Sequence, residues 1–145
     1  MSLQNLVGVS LDPITPSPVT TARLVAAAKR QIADAESGGI SSETRFAAAY
    51  TAIRMLADVA LHANGYRTLT SRPGHHQTAI QTLSLTMGVE GKTIQVLDAL
   101  RKQRNLTEYS GDLIPEGTVK EAIAQAKLLQ QWTLGWLQTT HPHLL

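Results

Sequence analysis

Residues 43–63 read ETRFAAAYTAIRMLADVALHA, and this stretch decides the fold class. Alanine, the best helix former, supplies a third of it, and neither Gly nor Pro interrupts it. Phe46, Tyr50, Ile53, Ala57, Ala60 and Leu61 recur at three- and four-residue steps, which places them on one face of a helix. Ser41 or Ser42 can cap its start. Asn64-Gly65 ends it, because Gly adopts the left-handed conformation cheaply.

Working outward, the spacing of Leu24, Ala28, Ile32 and Ala35 predicts a helix over 21–36, capped by Thr20 and stopped at Gly38-Gly39. Before it, Pro13, Pro16 and Pro18 stand too close together to leave room for a helix. Residues 1–20 therefore read as an N-terminal arm that packs through Leu3, Leu6 and Val7. Downstream, the loop YRTLTSRPG leads to a short helix over 76–85, broken at Gly88 and Gly91. A further helix follows from Lys92 to Arg104 or slightly beyond, with Ile94, Leu97 and Leu100 inward. The last helix spans 116–138 after Pro115, with Val119, Ile123, Ala126, Leu129, Trp136 and Leu137 inward. Residues 141–145 read as a frayed tail. The expected fold is all-α: an antiparallel up-and-down four-helix bundle over 21–140 with an additional short helix.

Composition narrows the functions. The chain has 145 residues, enough for one core. It has no cysteine, so thiol nucleophiles, disulfides and zinc–thiolate sites are absent. No apolar run reaches the length of a membrane span, and the first residues make a poor signal peptide. A cytoplasmic protein with no membrane partner is the expectation. The formal charge of +2 permits nucleic-acid contact without demanding it.

The candidate chemistry lies in residues 101–111, RKQRNLTEYSG. Arg104 falls four residues after Leu100 and seven after Leu97, so it continues the apolar stripe of its helix. A guanidinium stays charged and must reach water, a carboxylate or a cleft. With Arg101, the Asn105 amide and the Tyr109 phenol it makes a set of donors suited to a phosphate. Cations in a last helical turn also favour the negative helix end for ordinary reasons. Asp98 pairs naturally with Lys102 at four residues' spacing. His75-His76, at a helix start with no nearby carboxylate in sequence, reads as a capping element, and no metal site or cofactor is expected. Phe46 and Tyr50 read as core, Arg45 and Arg54 as solvated flank, and Trp132 and Trp136 as packing or a subunit contact.

Three segments resemble the HEPN family of small helical-bundle proteins. TRFAAAYTAIRMLADVALHANGY is similar to that family's second helix, with an Arg-Phe pair and a Tyr before an alanine-rich run ending in Gly-Tyr. HHQTAIQTL resembles its histidine-led third helix, and LDALRKQRNLTEYSGD its signature of Arg, a polar residue and a later His. The resemblance covers about two thirds of the chain. It implies a helical bundle, a homodimer with a basic cleft, and a small nucleotidyltransferase that neutralises its partner in toxin–antitoxin pairs. It places Arg104 at the motif arginine, Asn105 at the polar residue and Tyr109 where the histidine stands, so Arg104 and Tyr109 are the candidate catalytic pair. A phenol titrates near 10 and exchanges protons poorly at neutral pH, whereas imidazole does so readily.

Three functions follow as expectations. The first is an RNA- or nucleotide-binding protein using Arg104, Asn105, Arg101 and Tyr109. The second is an active metal-independent ribonuclease. The third is a ligand-free protein–protein interaction module.

Overall fold

The alanine-rich stretch forms α2 (Ser42–Ala63), and the other elements are laid against it. The structure is a computed structural model that describes residues 2–111 and 113–145, with the backbone alone for Glu108 and Tyr109. The remaining helices are α1 (Pro18–Glu36), α3 (His75–Gln81), α4 (Leu83–Met87), α5 (Gly91–Ser110) and α6 (Glu116–Thr140). The chain is predominantly helical, as the sequence predicts. Among the described residues, no helix is long and apolar enough to cross a membrane.

α2 is buried on nearly all sides. Ala48, Ala49, Ala52, Ala57 and Ala60 are buried together with Phe46, Ile53, Leu56, Val59 and Leu61. Small side chains let neighbouring backbones come close, and α1 and α6 make the most extensive contacts with α2. Ser41 caps α2 by accepting a hydrogen bond from the Thr44 amide at 3.2 Å. Gly65, at φ 91°, turns the chain out of it.

The N-terminal arm is more ordered than its prolines suggest. α1 begins at Pro18, not at Thr21, and its cap is Ser17, not Thr20. Pro18 fits because the first helical turn has no intrahelical partner for its missing N–H. His62 of α2 fixes this junction, its Nε2 accepting a hydrogen bond from the Ser17 amide at 2.9 Å. Ahead of α1, β1 (Leu11–Pro13) pairs antiparallel with β2 (Tyr66–Thr68), with Leu11 opposite Thr68 and Asp12 opposite Arg67. The Arg67 guanidinium and the Asp12 carboxylate lie 3.2 Å apart. This sheet was not expected, because three-residue strands are too short to show alternation. Leu3 and Leu6 pack on the core as expected, and Leu11 is fully buried.

Two further expectations are corrected. The single helix over 76–85 is two, broken at Thr82, whose hydroxyl donates to the Thr78 and Ala79 carbonyls at 2.9 and 3.1 Å. The C-terminal tail is not frayed: Pro142–Leu144 form a 3-10 turn, and Leu144 is buried against Val59, Ala63 and Leu137.

The arm's contribution is measurable. Leu11→Ala removes a fully buried side chain and should destabilise the protein by about 2–5 kcal/mol in urea denaturation. Val9→Ala, at a residue 63% exposed, should change stability by no more than about 0.5 kcal/mol. Equal effects would show that the arm adds nothing to the fold.

Candidate functional site

α5 runs six residues past Arg104, so this arginine lies in the body of the helix and not at its end. Leu97 and Leu100 are buried below it, and Arg104 is half-buried where the stripe reaches the surface. Its guanidinium carbon stands 5.5 Å from the centre of the Tyr50 ring. A cation over an aromatic face is worth about 0.5–2 kcal/mol, depending on desolvation. The Arg104 side chain also lines a cavity of about 360 Å³, whose walls include Glu43, Thr44 and Phe46 of α2, Thr107 of α5, and Ile114. That size suits a small ligand, since such pockets run from about 300 to 1,000 Å³. Glu43 Oε1 is buried there without a hydrogen-bond partner.

Arg101 lies one turn back on the same face. Its side chain is only 14% exposed, and its Nε donates to Asp98 Oδ1 at 2.8 Å. Lys102 reaches the other oxygen of Asp98 at 3.5 Å, so the expected Asp98–Lys102 pair is present as the longer of two. Burial acts against ionisation of Asp98, but the hydrogen bond and charge of Arg101, with Lys102, hold it below the usual carboxylate range. Asn105 is half-buried, and a helix turns it about 100° away from Arg104. The Tyr109 side chain lies outside the described residues.

The residues that meet Arg104 in space come from α2 and α3. Tyr50, Arg54 and Asp58 follow one another at four-residue steps along α2. Tyr50 is core, as expected, but its hydroxyl is buried without a hydrogen-bond partner. Burial pushes this phenol up to about 12, against the pull of Arg104, Arg101 and Arg54. Arg54 is not a plain solvated flank, because it is half-buried and pairs with Asp58 at 3.2 Å. Burial lifts Asp58 to about 6, although Arg54 and His75 oppose the rise. The His76 ring lies 6.1 Å from Tyr50 and 4.5 Å from His75. Burial first, then the positive charges of Arg54, His75, Arg104 and Arg101, bring His76 down to about 4. His75-His76 does not cap α3, whose N-cap is Gly74 with no side-chain hydrogen bond.

Elsewhere the singled-out residues are structural. Arg45 donates to the Ala35 carbonyl and pairs with Glu116, both at 2.9 Å. Trp132 anchors its indole N–H on the Met87 carbonyl at 3.1 Å. Among the described residues, no group of three or more His, Asp or Glu side chains is placed to hold a metal ion.

The site is thus a half-buried seam where α2, α3 and α5 meet. It carries the guanidiniums of Arg54, Arg101 and Arg104, the imidazoles of His75 and His76, the Tyr50 phenol and the carboxylates of Asp58 and Asp98. Tyr50, Asp58 and His76 are strongly perturbed, as titratable groups are at many functional sites. The four-residue recurrence of Tyr50, Arg54 and Asp58 is a signal in the sequence that could have pointed to the site, but spacing alone reads Tyr50 as core and Arg54 as solvated flank. Comparison with protein-family models, with curated proteins and with solved structures gives no match in any of the three.

The two perturbed groups oppose each other with pH. Asp58 binds its proton more tightly folded than unfolded, so its contribution to stability is lost as pH rises from about 4 to about 6. His76 binds its proton more weakly folded, so its contribution is gained as pH rises from about 4 to 6.5. Asp58→Asn should therefore give a stability that climbs with pH across this window more steeply than wild type, and His76→Gln one that falls. Urea denaturation between pH 4 and 7 measures both slopes; three parallel profiles would refute the assignment.

Proposed function

We propose that this chain is a HEPN-like protein that binds RNA or a nucleotide through Arg104. Arg101 adds charge beside it, and Asn105 and Tyr109 complete the site as the motif resemblance places them. On this reading α1, α2, α5 and α6 form an antiparallel up-and-down four-helix bundle, with α3 and α4 as the short addition. Two chains pair as a homodimer across a shared basic cleft in the cytoplasm. A nucleotidyltransferase partner neutralises the dimer in a toxin–antitoxin pair.

The observation that carries this reading is the position of Arg104. A permanently charged side chain ends an apolar stripe, sits over an aromatic ring 5.5 Å away and lines a cavity. A solvated surface arginine has no need of such an arrangement, whereas an anion-binding one gains from lowered local dielectric and a fixed orientation. Three arginines drawn from two helices stand in this one region of a weakly basic chain, Arg54 paired with Asp58 and Arg101 with Asp98.

Binding of a fluorescent single-stranded RNA at low salt tests the reading. Wild type should bind, with affinity falling as salt rises. Arg104→Ala should weaken binding by about ten- to hundredfold, the worth of one charge-assisted contact. Arg45→Ala, which breaks the Ala35 hydrogen bond and the Glu116 pair, should bind as wild type does. If neither RNA nor a mononucleotide binds to wild type at low salt, the reading is wrong.

A further inference from the structure

The cavity that Arg104 lines also carries a group of opposite sign. Glu43, in the first turn of α2, lines it, and Phe46, Ala47 and Ile114 give it apolar walls. Glu43 is half-buried, and its Oε1 is closed off without a hydrogen-bond partner. A buried acceptor with no donor is costly, most of all on a carboxylate. The terminal torsion of a glutamate is soft, so a small turn brings either oxygen to face the cavity. A ligand that carries N–H donors into this space supplies what the chain does not.

A phosphate is not that group, because a carboxylate repels it. The group that enters is uncharged, compact and rich in donors. Nucleobases are uncharged and compact, and they differ in their donors. Adenine and cytosine each set one amino group beside a bare ring nitrogen on the pairing edge. Uracil sets one imino N–H between two carbonyls. Guanine alone sets an imino N–H beside an amino group, so two parallel donors meet the two oxygens of a carboxylate. Every other base turns a lone pair toward the second oxygen, which repels it.

We propose that this cavity takes a guanine base and that Glu43 is the residue that selects it. The inference rests on the reading of Arg104 as the residue that holds nucleotide phosphate, and it adds a base preference to that reading. Guanine N1–H and its 2-amino group donate to the Glu43 carboxylate. Phe46, Ala47 and Ile114 cover the base with apolar surface, and Arg104, lining the same cavity, holds the phosphate of that nucleotide. The volume of about 360 Å³ is of the size that encloses a small ligand.

The test uses the full-length chain at low salt and fluorescent oligouridines that carry one central guanosine, adenosine, cytidine or inosine. The guanosine strand should bind about tenfold or more tighter than the all-uridine, adenosine and cytidine strands, the worth of a hydrogen bond to a charged group. Inosine keeps N1–H and lacks the 2-amino group, so its strand should lose most of that gain. Glu43→Gln keeps the shape and loses the charge and one acceptor, and it should bind all the strands to within about threefold of one another. Urea denaturation checks that this variant is folded, and the inosine comparison needs no variant. Strands bound alike by wild type, inosine bound as tightly as guanosine, or a guanosine preference that survives in Glu43→Gln overturns the role of Glu43 and leaves the Arg104 reading standing. Strands that wild type does not bind overturn both.

Discussion

The burial of α2 is the constraint on which the rest depends. A helix surrounded on nearly all sides needs small residues wherever a neighbour crosses it, and alanine at 48, 49, 52, 57 and 60 meets that need. The close approach of α1 and α6 leaves little room for a polar side chain on those faces. Tyr50, Arg54 and Asp58 follow one line along α2. That line faces α3 and α5, so charges from three helices are forced into one seam. The site is a consequence of where the core leaves space.

The seam is held together by compensation between groups of limited individual worth. Partly buried ion pairs gain Coulomb energy against a desolvation cost, so their net worth is small. The Arg54–Asp58 and Arg101–Asp98 pairs act instead as orienting devices, fixing two guanidiniums along the groove. Arg104 is oriented differently, by the face of an aromatic ring. The ring's own hydroxyl is sealed in the core, so Tyr50 presents a π-face to the groove and keeps its proton. The same side chain lines the cavity beside α2.

Much of the architecture was legible because helices advertise themselves through spacing. The alanine-rich run, the Gly65 stop and the stripe of Leu97 and Leu100 each carry a period or a terminator. The elements missed have neither. The β1–β2 pair depends on residues more than fifty positions apart, and the start of α1 depends on Ser17 meeting His62. For the site, the spacing argument brought Arg104 to the edge of the core, and the structure has it there. Sequence distance hid the rest: Tyr50, His76 and Arg104 are far apart along the chain, and only the fold brings them around one ring. The capping role assigned to His75-His76 failed because Gly74 already makes the turn.

The concentration of energetic costs in the seam is itself an argument about purpose. The Tyr50 hydroxyl is buried unpaired, and an unsatisfied donor costs about 1–3 kcal/mol. Burial raises Asp58 to about 6 and lowers His76 to about 4, so each charged form bears a desolvation cost. Glu43 keeps one oxygen sealed without a partner beside the same groove. Apolar side chains of similar volume at these positions would relieve each cost, since well-packed hydrophobic replacements for buried polar pairs are often neutral or stabilising. Elsewhere this chain follows local rules, with serine caps on α1 and α2, glycine stops after α2, α4 and α5, and an apolar core. Departures from those rules gather where a protein has work to do. Here they gather around Tyr50, within reach of the arginine that the sequence singled out.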